Sequence, residues 1–135
     1  AFSARFEQPL PSAYVDFLRR LNGARPRDCW VEVPAIGERV QVDAFFGIND
    51  PELNLERLDE INLDYLPEGC FAFAKDPFGN QFVMDLMEGG SVAYWDCNDD
   101  YHEIDGDGED GNLFDIADSF TAFLQALQPG GQTIA

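Results

Sequence analysis

Apolar residues recur along the chain at two spacings, every three or four positions in some stretches and every second position in others. After Leu10-Pro11-Ser12, the side chains of Ala13, Tyr14, Phe17, Leu18 and Leu21 fall at helical spacing. Pro11 stands near the first turn, where its missing N–H costs nothing. Asn22-Gly23 ends this helix, because glycine adopts the left-handed cap conformation most easily. Residues 29–33 (CWVEV) and 39–46 (RVQVDAFF) are rich in β-branched and aromatic types with partial alternation, and a link containing Pro34 and Gly37 separates them. They predict two strands paired as a hairpin. Between Pro51 and Asn62, Leu55, Leu58 and Ile61 recur every third position while Glu52, Glu56, Arg57, Asp59 and Glu60 can face water. That pattern predicts a second, shorter helix.

The clearest β signal follows. Cys70 to Lys75 and Gln81 to Leu86 flank Asp76-Pro77-Phe78-Gly79-Asn80, whose proline and Gly-Asn pair are turn residues. After Gly89-Gly90, Ser91 to Trp95 predicts a third strand that completes a meander. Residues 96–114 read as an acidic loop with few apolar anchors. Ile116, Phe120, Phe123, Leu124 and Leu127 then form a helical stripe that stops at Pro129-Gly130-Gly131. The order predicts an α+β fold in which N-terminal, middle and C-terminal helices pack on a mostly antiparallel sheet, a hairpin plus a meander. No internal repeat is present, and 135 residues fit one domain spanning 1–135.

Composition adds a core and a charge. Twelve Phe, two Trp and four Tyr supply large core-forming side chains and argue against disorder. Against them stand 26 acidic and 8 basic residues, a formal net charge of -18. All eight bases lie at or before Lys75, and the last 60 residues hold 13 acids with no base. Such a field repels nucleic acid and anionic lipid and attracts basic proteins. Three cysteines, Cys29, Cys70 and Cys97, form no CxxC pair and sit among apolar neighbours as buried thiols do. No run approaches the roughly 20 apolar residues of a membrane helix, and the N-terminus carries no stretch of signal-peptide type. The expectation is a cytoplasmic protein in a reducing compartment.

Motifs for chemistry fail on inspection. Residues 106–111 match G-x-G-x-x-G, yet Asp107, Glu109 and Asp110 would repel the pyrophosphate the motif exists to bind, and no apolar strand leads into it. Asp105, Asp107 and Glu109 alternate as calcium ligands do, but the sixth and twelfth positions are Asp110 and Ile116 where an EF-hand needs Gly and Glu. Gly89-Gly90-Ser91-Val92-Ala93 lacks the closing glycine of a nucleophile elbow. His102 is the single histidine and lies in the acidic loop, where a partner-facing role outweighs catalysis. One His and three scattered Cys do not make a zinc site. The inventory therefore predicts no catalytic residue, no metal and no cofactor; the chain acts by binding.

Four segments carry a resemblance: Leu10-Pro11 leading to Tyr14, Phe17-Leu18 and Asn22-Gly23; Leu66-Pro67-Glu68-Gly69 leading to Phe73-Ala74; Asp76 to Leu86, with Gly79-Asn80, Phe82 and Asp85-Leu86; and Val92 to Asp96 with the closing Ser119-Phe120 and Phe123-Leu124. In order and spacing they resemble the SUKH superfamily, which includes bacterial immunity proteins and a yeast regulator of cell-wall synthesis. The resemblance implies an α+β domain, commonly encoded beside a polymorphic or contact-dependent toxin, that inactivates the toxin by direct binding. Many such toxins are nucleases. The acidic stretch from Asp99 to Gly111 has no counterpart in the family pattern.

Charge and resemblance converge on one expectation. A nuclease presents basic surface to its substrate, and an acidic inhibitor can occupy it. The expected partner-binding residues are Trp95, Asp96, Asp99, Asp100, Tyr101, Glu103, Asp105, Asp107, Glu109 and Asp110, with Trp95 or Tyr101 as the apolar anchor. The partner is a cognate, basic protein toxin, with no nucleic acid and no membrane. A regulatory scaffold with no toxin, a calcium-binding module and an enzyme with dispersed acids stand as alternatives.

Overall fold

A computed structural model describes residues 5, 6, 8–97 and 112–129. Helix α1 spans Ser12–Arg20 and begins where the Pro11 carbonyl accepts from the amides of Tyr14 and Val15, both at 3.0 Å. At its end Asn22 clamps the neighbouring loop: its carboxamide donates to the Ile48 carbonyl at 2.9 Å and accepts from the Ile48 amide at 2.6 Å. Gly23, at φ 74°, lies so close to Asp50 that a Cβ would fall 2.2 Å from the carboxylate. The Asn-Gly pair thus ends the helix and docks the next loop.

Strands β1 (Trp30–Val33) and β2 (Glu38–Gln41) pair antiparallel, as the pattern predicts. The predicted second strand, 39–46, is in fact two. At Val42 the backbone still bonds to Cys29, but from Asp43 it bonds to Lys75, and β3 (Ala44–Phe45) joins a different sheet. That sheet has five antiparallel strands in the order β3-β4-β5-β6-β7, with β4 at Cys70–Lys75, β5 at Gln81–Asp85, β6 at Ser91–Trp95 and β7 at Leu113–Ala117. The three predicted meander strands hold.

Strand β7 was not predicted. Acids crowd the sequence before it, so its short Leu-Phe-Asp-Ile alternation reads as the end of a loop, and Ile116 belongs to this strand, not to the last helix. Helix α3 is Phe120–Ala126, set by Ser119, whose hydroxyl accepts from the Ala122 amide at 3.0 Å as an N-cap does. Past α3 the chain returns to the hairpin, where Gln128 and Trp30 exchange backbone hydrogen bonds of 2.8 and 2.9 Å.

Alternation along the strands gives the large sheet two different faces. One presents Phe71, Phe73, Phe82, Met84, Val92 and Tyr94 to α1, α3 and the hairpin, making the main core. Tyr14, Phe73, Phe120 and Phe123 meet there largely edge-on, with centroids 5.1 to 5.9 Å apart for the edge pairs, the geometry aromatic quadrupoles favour. The other face presents Cys70, Ala72, Val83 and Trp95, and Leu58 and Leu66 cover it.

Helix α2 spans Leu55–Asn62, N-capped by Asn54, whose side chain accepts from the Arg57 amide. Its inward residues are Leu55, Asp59 and Asn62, so the helix is rotated from the orientation its leucine spacing predicts. Asp59, expected to face water, is buried, and Arg5 is the reason. Its guanidinium grips both Asp59 oxygens, Nη2 to Oδ1 at 2.8 Å, and rests on the Phe6 ring. Ile61, expected to be buried, is 62% exposed.

Candidate partner-binding surface

Strand β6 leads toward the expected site. Its last residues are Tyr94 and Trp95, the second of them an expected apolar anchor for the partner. Both are buried instead: Trp95 is 3% exposed, among Val83, Leu113 and Cys97. Strand alternation sends the two rings to opposite faces, and β7, missed in the sequence, supplies Leu113 against the indole. Trp95 is therefore a core residue. Asp96 is half-buried, and its amide donates to the Asn112 carbonyl at 2.9 Å. The other expected residues, Asp99, Asp100, Tyr101, Glu103, Asp105, Asp107, Glu109 and Asp110, lie outside the described residues, as do His102 and the G-x-G-x-x-G match.

What fixes the departure of the chain after β6 is a buried polar knot at the β4–β5 turn. Asp76 Oδ1 accepts from the amides of Phe78 and Asn80 at 2.8 and 2.9 Å. Its Oδ2 accepts from the Tyr94 hydroxyl at 2.8 Å and from Asn80 Nδ2 at 3.1 Å, and Asn80 Nδ2 also donates to the Tyr94 hydroxyl at 2.8 Å. A carboxylate 2% exposed is tolerated only with such complete hydrogen bonding. Burial, and then the Asp76 carboxylate, hold the Tyr94 hydroxyl well above its usual ionisation range. The knot ties turn, strand and sheet end together immediately before Asp96.

A second acidic feature emerges on the less covered face. Asp85, Glu88, Ser91, Asp115 and Asp118 line an open groove of about 620 Å³ with Ile116 and Ala117. Strand register brings them together: Asp85 faces Ser91 across β5–β6, and Asp115 faces Ala93 across β6–β7. A bulge, which sets Val92 and Ala93 against Ala117 and Asp115, turns the end of β7 toward the groove. No basic residue lines it. Sequence reasoning missed this groove because its acids come from two separate stretches, 85–88 and 115–118, and only the strand register unites them; the one legible sign was the total lack of bases after Lys75.

Of the three cysteines expected to be buried, Cys70 is buried and Cys29 and Cys97 are half-buried. All three are free; burial, and then neighbouring carboxylates, push the Cys70 and Cys97 thiols up to about 12. Neither is a thiolate at neutral pH, so neither is a nucleophile or a ready metal ligand. Among the described residues no cluster of three His, Cys, Asp or Glu side chains is arranged to hold a metal ion, and no helix is long and apolar enough to cross a membrane.

Comparison with known families gives one result of wide coverage. The model of the SMI1 / KNR4 family (SUKH-1) matches residues 1–126. No curated protein and no solved structure gives a significant match.

Proposed function

Because the chain belongs to the SMI1 / KNR4 family (SUKH-1), we propose that it is an immunity protein that binds a cognate bacterial toxin with a basic surface and neutralises it. The observation that carries this reading is the polarity of charge along the chain, 13 acids and no base after Lys75. Solubility does not require one end of a domain to lack every base. Affinity for a cationic partner is served by it, because complementary fields speed encounter and disfavour wrong partners. A nuclease is the kind of toxin that fits, since its substrate-binding surface is cationic. Asp96 and the acids at 99, 100, 103, 105, 107, 109 and 110 face the toxin, with Tyr101 as apolar anchor and the sheet groove extending the acidic field. Trp95 contributes from inside, by holding the strand end.

The experiment is co-expression with the toxin domain encoded by the adjacent gene. Growth rescue, with an affinity for the purified domain that weakens steeply from low to high salt, is the expected result. Failure to rescue, or an affinity indifferent to salt, would sink the reading. A further arm neutralises the seven acids from Asp99 to Asp110, which should slow association at low salt by at least tenfold.

A further inference from the structure

We infer that the outer face of α2 is a docking face for a basic protein surface that inserts an apolar side chain beside the helix. The inference rests on the proposed toxin-binding reading and adds a second contact to it. Three observations carry it. First, a groove of about 340 Å³ runs along one flank of α2, lined by the apolar Phe46, Pro51, Leu58 and Ile61 together with Glu52, Asn54 and Arg57. Past the helix end, the amides of Tyr65 and Leu66 bond back to the Asn62 carbonyl, so the chain turns there and holds Tyr65 close to the end of α2. Ile61 is 62% and Tyr65 44% exposed, and Leu63 between them is 52% exposed, so three of the six exposed large apolar side chains among the described residues cluster at this helix end.

Second, the helix carries Glu56 and Glu60, and Asp64 follows two residues past its end, at successive four-residue intervals. Like charges at that spacing oppose the helix. Glu60 and Asp64 also stand at the end where backbone carbonyls concentrate negative potential, and the last turn holds no base to offset them. Folding alone disfavours this placement. A cationic surface laid over the helix adds attractions that offset these repulsions.

Third, the helix ends beside the strand end that precedes the proposed partner residues. Asn62 Nδ2 donates to Gln81 Oε1 at 2.6 Å, and Gln81 is the register partner of Trp95. The end of α2 thus sits at the end of the sheet from which the chain leaves toward the acidic residues 99–110. A second copy of the chain is a poor occupant, since two molecules of net charge -18 repel each other.

The test measures binding of the purified neighbouring-gene toxin domain to the full chain carrying Ile61→Ser with Tyr65→Ser, or Glu56→Gln with Glu60→Gln and Asp64→Asn. The apolar pair is expected to weaken affinity at least tenfold through faster dissociation, with the salt dependence intact. The acid triple is expected to flatten the salt dependence and slow association. Thermal melting checks the fold, and Ile61→Arg alone, expected to give the same loss, replaces the apolar pair if that variant melts early. If both sets bind as the parent does while neutralising residues 99–110 abolishes binding, the docking face is refuted and the toxin reading survives. If the parent does not bind the toxin domain, both fall. A parent dimer in sedimentation that the apolar pair converts to monomer would assign the groove to self-association and overturn the inference.

Discussion

One face of the five-stranded sheet carries Phe71, Phe73, Phe82 and Tyr94 beneath two helices and a hairpin; the other carries Cys70, Ala72, Val83 and Trp95, with Leu58 and Leu66 over them. The first is a deep aromatic core. The second is thin, and where its helical cover ends the strands present Asp85, Ser91 and Asp115 to water. The difference separates two jobs that would conflict on one surface. Rings that stabilise need closure, and carboxylates proposed to attract a partner need exposure.

The largest effect expected from breaking this division lies in the core. Phe73 is fully buried against Tyr14, Phe45, Phe120 and Phe123. Phe73→Ala should destabilise by about 3–5 kcal/mol, read in a urea titration. On the thinner face the pair between buried Asp59 and the solvent-accessible Arg5 is the point of leverage. Asp59→Asn leaves the Arg5 guanidinium facing a neutral amide and should cost about 2–3 kcal/mol; a value within experimental error would mean that Leu58 and Leu66 hold α2 unaided.

The same face supplies a pH signature. Cys70 and Cys97 ionise at about 12 in the folded chain, against about 8.5 when unfolded. Above pH 8.5 the unfolded chain releases these protons first. Stability should therefore be full below about pH 8.5 and fall as pH rises toward 12. A Cys70→Ala, Cys97→Ala variant should flatten that decline, measured by melting temperature against pH. The smallest effect belongs to the groove. Glu88→Gln with Asp115→Asn and Asp118→Asn should change stability by no more than about 0.5 kcal/mol, in the stabilising direction at low salt. A large loss of stability there would show that the acids serve the fold.

Legibility in the sequence followed the same division. The β4–β5–β6 meander was readable because alternation and the Gly79-Asn80 turn agree, and α1 because its stripe ends at Asn22-Gly23. Local pattern failed where a distant partner decides. Nothing near Asp59 announces Arg5, 54 positions away, so a buried carboxylate reads as a wet one. Nothing in RVQVDAFF marks the switch at Asp43 from one sheet to another. β7 was hidden because its pairing with β6 spans the acidic stretch, and that omission made Trp95 look like a surface ring. Of the expected partner surface, the sequence conveyed the sign and position of the charge; the groove required strand register.

The exchange of hydrogen bonds between Gln128 and Trp30 bears on how the chain can safely be cut. Strand β1 pairs with β2 on one side, and Gln128 occupies part of the other. A chain truncated after residue 126 would keep every position matched by the family model and lose this cover. The amide and carbonyl of Trp30 would then be open to any passing strand, the usual starting point for intermolecular sheet growth. The few residues beyond the last helix guard an edge, and the family boundary is the wrong place to trim.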